Sequence, residues 1–138
     1  MSKAVLYYSL SGKTQKMAEK IANEAAAELI EIREKTKRNG FTAFVPGCFQ
    51  AMAQACPAII PPAKDLSAFD ELVLLAPIWA GHPAPALNSI IALLPEGKAV
   101  HLVCTSGRGG YDLSKTAALV KSKGCTIAET RCFGATEI

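Results

Sequence analysis

Residues 3–22 read KAVLYYSLSGKTQKMAEKIA, and three patterns follow one another in this stretch. An apolar, β-favouring run ends at Tyr8, a short run of hydroxyl side chains with one glycine follows, and a helical pattern then begins. One face of that helical pattern carries Ala18, Ile21, Ala22, Ala25 and Leu29. The stretch therefore predicts a strand, a tight turn and an amphipathic helix.

The turn shares the letters Gly12-Lys13-Thr14 with the end of the P-loop, which binds nucleoside di- and triphosphates. That motif also requires a glycine five residues before Gly12, where this chain has Tyr7. The residues that bind a phosphate are therefore present, but the nucleotide-binding motif is not.

The composition predicts one compact domain, residues 1–138, with a single core. Hydrophobic residues make up 50% of the chain and charged residues 20%, with a net charge of +3. The densest cluster of cations, at positions 35–38, lacks the aromatic residues that stack on bases, so we expect no nucleic-acid partner. No apolar run reaches the length of about 20 residues that spans a bilayer, so we expect no membrane partner.

The five cysteines are scattered, without the spacing of a metal site or a disulfide framework. They are typical of reduced thiols in a cytoplasmic protein. We assign Cys104, together with His101, to the core rather than to catalysis.

Five strand patterns alternate with helical patterns along the chain. The predicted strands are residues 3–8, 28–33, 71–76, 99–105 and 125–133, and the predicted helices after the first are residues 46–55, 84–94 and 112–123. Alternation of this kind predicts an α/β protein with a doubly wound five-stranded parallel sheet. The first, third and fourth strands are continuous apolar runs and belong in the middle, whereas the second and fifth alternate and belong at the edges, which gives the order 2-1-3-4-5.

Ligands of such sheets bind at the carboxyl ends of the strands, where the winding direction reverses between the first and third strands. The first loop there offers the hydroxyls of Ser9, Ser11 and Thr14, a turn at Gly12, and the free N–H groups of a helix N-terminus. It is suited to one phosphate group and is too short for three. Lys13 either adds positive charge to the phosphate site or points into solvent. The alternative to a phosphate site is that the serines only cap the helix.

Two further loops meet the first one. Residues 77–83 carry Trp79, the single tryptophan of the chain, at a place where we expect no core to receive an indole, so that it can stack on a flat ligand. A tryptophan folded back on its own loop is the alternative. Residues 105–111 offer glycine-exposed backbone groups and Tyr111. A site for one phosphate group beside an aromatic side chain that can stack on a flat ring fits FMN. The candidate FMN-binding residues are Ser9, Ser11, Gly12, Lys13, Thr14, Pro77, Ile78, Trp79, Ala80, Gly81, His82, Thr105, Ser106, Gly107 and Tyr111.

The chain resembles the flavodoxin family over most of its length. The resemblance lies in YYSLSGKTQKMAEKIA (7–22), GFTAFVPGCFQAMAQACPAI (40–59) and LLAPIWAGHPAPAL (74–87), and more loosely in CTSGRGGYD (104–112). It implies a flavodoxin-like sheet, with the phosphate of FMN bound by the first loop. It also implies that Trp79, Gly81, Ser106, Gly107 and Tyr111 surround the flavin ring.

The chain departs from the family pattern in three respects. The usual Thr-Gly-Asn-Thr of the phosphate loop is here Ser-Gly-Lys-Thr, at residues 11–14, which keeps the turn and the hydroxyls. Electron-carrier flavodoxins are acidic, whereas this chain is net positive. A fifth helix after the last strand is missing from the sequence pattern. Because that helix would cover an apolar sheet face, we expect a homodimer that covers it instead.

The leading functional hypothesis is a redox protein that transfers electrons through non-covalently bound FMN to a redox partner protein. An NAD(P)H-dependent quinone-type reductase is the first alternative, with His82 binding or protonating the acceptor. The second alternative is a flavodoxin-like scaffold that has lost FMN and acts through protein contacts. A response-regulator receiver is excluded, because Pro77 stands where the phosphorylated aspartate would be required.

Overall fold

The computed structural model describes residues 2–9, 12–35, 56–79, 82–105 and 113–134. The strands are β1 (Lys3–Tyr7), β2 (Glu28–Glu31), β3 (Arg33–Glu34), β4 (Ile59–Ile60), β5 (Glu71–Trp79), β6 (His82–Pro83), β7 (Ala99–Thr105) and β8 (Thr126–Phe133). The helices are α1 (Lys13–Ala25), α2 (Pro85–Ile91) and α3 (Ser114–Ser122), with a short 3-10 turn at Leu66–Ala68. The predicted helix at residues 46–55 lies outside the described residues.

The main sheet has five parallel strands in the order β2-β1-β5-β7-β8. Counted along the main strands alone, this is the predicted order 2-1-3-4-5, which is confirmed. The two short strands β3 and β4 pair antiparallel with each other in a separate sheet. No helix of the described ranges is both long and apolar enough to cross a membrane.

The core forms two layers, one on each face of the sheet. Helix α1 packs Met17, Ala18 and Ala22 against one face, which also carries Val5 and Val73. Helices α2 and α3 cover the opposite face, and the fully buried leucine, isoleucine and valine side chains there are Leu6, Leu72, Leu74, Leu87, Ile90, Val100, Leu102 and Val120. The central strands are thus buried on both sides, which explains their unbroken apolar runs.

Two boundaries differ from the sequence prediction around the first helix. Ala25 is exposed at the end of α1, and Ala26 adopts a left-handed conformation that ends the helix. Leu29, predicted on the helical face, lies instead on β2 with 40% of its surface exposed. The period-two pattern of residues 28–31 therefore prevails over the helical period, because β2 is an edge strand and buries only Ile30.

The third predicted strand is longer than expected, since Pro77 does not end it. Strand β5 continues to Trp79 and turns back into β6, with Ile78 opposite Pro83 and Trp79 opposite His82. The pairing of β1 with β5 stops at Leu75, so the missing N–H of Pro77 faces no strand on that side. Segment 77–83, predicted as a loop, therefore includes a short hairpin.

The later elements agree more closely with their predicted bounds. Helix α2 ends at Ile91, earlier than the predicted residue 94, and Gly124 closes α3 with a φ of 82° as expected. The predicted cap Asp112 lies outside the described residues. Cys104 is buried in the core as assigned, whereas His101 is only half-buried, with its Nδ1 atom 3.1 Å from Glu129 Oε1.

The expected apolar face beside the last strand is wrong for the described part of the chain. Glu129 and Arg131 of β8 are exposed on the face that α1 covers elsewhere. Glu129 contacts His101, and the guanidinium of Arg131 lies 4.5 Å from the centre of the Phe133 ring. Charged side chains therefore take the place of the apolar surface that the sequence pattern suggested.

Candidate functional site

The carboxyl ends of β1, β5 and β7 meet at one edge of the sheet, as the strand order requires. Nine of the predicted FMN-binding residues lie there within the described residues: Ser9, Gly12, Lys13, Thr14, Pro77, Ile78, Trp79, His82 and Thr105. The other six lie outside them: Ser11, Ala80, Gly81, Ser106, Gly107 and Tyr111.

Gly12 forms the turn between β1 and α1. Its φ of 95° is in the left-handed region, which side chains with a Cβ rarely adopt. Its N–H donates to Ser9 Oγ at 2.9 Å, and its carbonyl accepts the first helical hydrogen bond from the Lys16 N–H at 3.2 Å. A Cβ at Gly12 would meet no atom within 4 Å, so glycine is required for its conformation and not for lack of space.

The N-terminus of α1 is left open to an anion. Among the described residues, no side chain caps this helix and no acidic residue lies in its first turn. The first N–H groups of a helix carry partial positive charge, and Lys13 adds an exposed ammonium beside them. The turn therefore presents donors and positive charge together, the arrangement that binds a phosphate.

Thr14 and Thr105 connect this turn to the end of β7. Their hydroxyl oxygens are 2.8 Å apart, and only 2% and 4% of the two residues are exposed. The sequence placed both residues in the site from different loops, and the structure brings them into direct contact. Their hydrogen bond holds the first turn of α1 against the end of the fourth main strand.

Trp79 differs from the prediction. Its indole is 5% exposed and belongs to the hydrophobic core, so the expectation that no core receives it is wrong. It packs edge-on against Tyr8, with ring centres 5.9 Å apart and an angle of 77° between the rings. The β5–β6 hairpin carries Trp79 back over the end of β1, and this explains its burial. Contact between Trp79 and a flavin ring stays a prediction.

Tyr8 was not among the predicted site residues. Besides packing on Trp79, its hydroxyl donates a hydrogen bond to the Glu34 carboxylate on β3. This bond ties the edge of the site to the small antiparallel sheet. No local sequence signal marks Tyr8, since it reads as the last apolar residue of a strand.

The neighbouring Tyr7 is neutral near physiological pH. Burial raises the pKa of its phenol above 10.0, and the carboxylates of Glu31 and Glu19 raise it further. Its side chain lies on the α1 face of the sheet, where it packs with the core residues of that layer. The start of α1 therefore has no phenolate charge behind it that would repel an anion.

Several solved structures share the architecture of this chain. The flavoprotein of Lactobacillus acidophilus in complex with FMN is 23% identical, over 99% of this chain and 95% of that one, with a TM-score of 0.78. The apo-form of the flavoprotein from the same organism is 23% identical, over 97% and 93% of the two chains, with a TM-score of 0.74. Two-electron reduced flavodoxin of Megasphaera elsdenii is 18% identical, over 95% and 85%, with a TM-score of 0.58.

The chain has a flavodoxin-like fold. No protein-family model and no curated protein matches it. The likeness extends over nearly the whole chain. In a flavodoxin-like sheet the ligand crevice lies where β1 and β5 adjoin, which is where the open N-terminus of α1 is found.

Proposed function

We propose that this chain binds FMN without a covalent bond and transfers electrons through it, in the cytoplasm. The observation that carries the proposal is the N-terminus of α1, which lies at the crevice of a flavodoxin-like sheet and which no side chain of the described residues caps. Solved structures with this fold include a flavoprotein in complex with FMN. The four cysteines in the described part of the chain form no disulfide, in keeping with a reducing compartment.

The described residues fit the phosphate of FMN. The N–H groups of the first turn of α1 and the hydroxyl of Ser9 would hold it, and Lys13 would supply a counter-charge. The buried hydroxyl of Thr14 would keep the turn in place through its bond to Thr105. Gly12 keeps the backbone of the turn in the conformation that aims these donors outward. Ser11 is proposed to belong to the same turn.

The flavin ring is proposed to lie between the loops after β5 and β7, near Ile78, His82 and Thr105. When bound, FMN supplies the one- and two-electron redox chemistry of the proposed function. The protein's own contribution is to orient the ring and to set the charge around it. The backbone of Ala80, Gly81, Ser106 and Gly107 and the side chain of Tyr111 are proposed to contact it.

The burial of Trp79 favours a second candidate, a flavodoxin-like scaffold that acts through protein contacts without FMN. With both Trp79 and Tyr8 about 5% exposed, neither offers an open aromatic face to a ring. A flavin would then have to be held by the backbone and by Tyr111. The two candidates differ in whether FMN binds at all.

The deciding experiment is a titration of the purified protein with FMN and, separately, with riboflavin, which lacks the phosphate. Quenching of the flavin fluorescence measures each affinity. We expect FMN to bind more tightly than riboflavin, because the groups at the start of α1 are proposed to bind the phosphate, which riboflavin lacks. Equal affinities would contradict the proposed phosphate site. If neither flavin binds, the result favours a scaffold that acts without FMN.

A variant of the turn sharpens this test. Ser9→Ala removes the acceptor of the Gly12 N–H and should weaken FMN binding about fivefold, the effect of one hydrogen bond worth about 1 kcal/mol, while riboflavin binding is unchanged. Lys64→Ala is the matched control, since Lys64 is exposed and pairs with Glu28 on the far edge of the sheet. Equal loss for both flavins in Ser9→Ala would show damage to the fold instead of loss of a phosphate contact.

A further inference from the structure

Two cysteines lie directly opposite each other on neighbouring strands. Cys104 of β7 and Cys132 of β8 are register partners in the parallel pair. Both side chains lie on the face covered by α2 and α3, where Cys104 is a core residue and Cys132 packs against the core. Neither of them forms a disulfide in the structure.

The two thiols are already in contact. The Cys104 thiol donates a hydrogen bond to the Cys132 sulfur, which is the main cause that raises the pKa of Cys104, and burial raises it further. Cys104 is 1% exposed, whereas Cys132 is half-buried. The two thiols therefore differ in solvent accessibility, and a reagent from solvent reaches Cys132 before Cys104.

The backbone geometry of this pair permits a covalent bond. Neighbouring strands lie about 4.8 Å apart, which is inside the range of about 4.4–6.8 Å between the Cα atoms of disulfide partners. The register places the two Cα atoms opposite each other. Bond formation then requires rotation of the side chains and a small approach of the two Cβ atoms, which lie about 3.5–4.5 Å apart in disulfides.

We propose that Cys104 and Cys132 form a reversible disulfide when the protein meets a hydroperoxide. In the first step the Cys132 sulfur attacks the peroxide, the O–O bond breaks, and a sulfenic acid and one water (or alcohol) are formed. In the second step the Cys104 sulfur attacks the sulfenic sulfur, and its thiol proton leaves with the displaced hydroxide as a second water. The two thiols lose two electrons and two protons in total, and the peroxide takes up both.

The other described cysteines lack this arrangement. Cys125 is buried and donates its thiol hydrogen to the Pro95 carbonyl at 3.1 Å, and Cys56 is exposed. An exposed lone thiol can be oxidised, but it has no neighbouring thiol within the described structure to resolve the product. The proposal is independent of FMN, because every group it uses belongs to the protein.

The disulfide would be formed one residue away from the candidate site. Thr105 follows Cys104 on β7 and holds the first turn of α1 through Thr14. A covalent link from β7 to the edge strand β8 would fix the end of β7, which carries that contact. Oxidation therefore couples the edge of the sheet to the start of α1.

The test treats the reduced full-length protein with stoichiometric hydrogen peroxide. Remaining thiols are blocked with N-ethylmaleimide under denaturing conditions, and the peptides are analysed by mass spectrometry without reduction. We expect a cross-linked peptide that joins residues 104 and 132, lighter by two hydrogen atoms than the sum of its parts, which disappears after dithiothreitol. Recovery of both cysteines as blocked thiols, while Cys56 is oxidised, would overturn the proposal.

Single variants separate the two steps. In Cys104→Ala the sulfenic acid at Cys132 should persist and react with dimedone, whereas in Cys132→Ala the Cys104 thiol should remain unmodified. Cys125→Ala is the matched control at another buried cysteine and should form the cross-link as the wild type does. A cross-link that joins Cys56 to either residue in the wild type would contradict the assignment, and the wild-type measurement decides the question even if a variant fails to fold.

Discussion

Thr14 and Thr105 form a buried pair of hydroxyls in which each depends on the other. Thr105→Val keeps the shape of the side chain but leaves the Thr14 hydroxyl buried without this partner, which should lower the free energy of unfolding by about 1–3 kcal/mol. Replacing both residues with valine should lower the free energy of unfolding by less than the sum of the two single variants, because neither hydroxyl is then buried without a hydrogen-bond partner. Urea unfolding of the four proteins measures this, and strictly additive effects would contradict a direct bond.

Trp79 provides an intrinsic probe of the core, since it is the chain's single tryptophan. Its burial against Tyr8 predicts blue-shifted fluorescence emission and weak quenching by acrylamide in the native protein. Both properties should change to those of a solvated indole on unfolding in urea. Strong quenching in the native state would show that the indole stands at the surface, as the sequence suggested.

At the scale of the elements, the strand order could be predicted because a strand that is buried on both faces has a continuous run of apolar residues. Residues 71–76 and 99–105 are continuous apolar runs, and both proved to be central strands. The β5–β6 hairpin could not be predicted, because its paired segments, residues 78–79 and 82–83, are only two residues long and local patterns at 77–83 indicate a loop. The hydroxyls of Thr14 and Thr105 were predicted for the site, but their contact spans 91 positions and depends on the folded sheet.

A row of charged residues crosses four strands of the sheet on the α1 face. Lys3 Nζ lies 3.3 Å from Glu71 Oε2, and His101 lies between Glu71 and Glu129, at 3.7 Å and 3.1 Å. The hydrogen bond from Lys3 is the main cause that lowers the pKa of Glu71 below 4.5, against the opposing effect of burial, and His101 lowers it further. A carboxyl with a lowered pKa stabilises the fold above its ordinary pKa, and this contribution is lost as the pH falls through the lowered value.

Lys3→Met should therefore destabilise the protein near neutral pH by about 0.5 kcal/mol, since both side chains are partly exposed. The difference from the wild type should shrink in acid, below the lowered pKa of Glu71, where the protonated carboxyl no longer pairs with Lys3. Urea unfolding at the two pH values measures both differences. Lys64→Met, which removes a more exposed pair with Glu28, is the control and should show a smaller effect at neutral pH. A difference for Lys3→Met that does not change with pH would mean that Glu71 is not the group responsible.

For the whole molecule, the homodimer expected from the sequence needs a different interface from the one first suggested. The face beside β8 carries charges, but β8 is also an edge strand of eight residues with no described strand on its outer side. Two copies that paired their β8 edges antiparallel, with the two-fold axis at Thr130, would set Glu129 of each copy opposite Arg131 of the other. Opposite charges directly across a strand pair stabilise it by about 0.2–1 kcal/mol each, and symmetry provides two such pairs.

We therefore predict a dimer that depends on the charges of β8. Arg131→Glu replaces both attractive pairs with repulsive ones and should weaken dimerisation roughly tenfold or more, whereas the double exchange Glu129→Arg with Arg131→Glu should restore it, because the pairs are then only reversed. Sedimentation equilibrium over a range of concentrations measures each association constant. Lys121→Glu, at an exposed position near the end of α3, makes the same change of charge away from β8 and should leave the association constant unaltered. A monomeric mass for the wild type at every concentration would contradict the predicted dimer. A dimer whose association constant is unchanged in Arg131→Glu would place the interface elsewhere, because the predicted β8 pairing depends on the contact between Arg131 and Glu129.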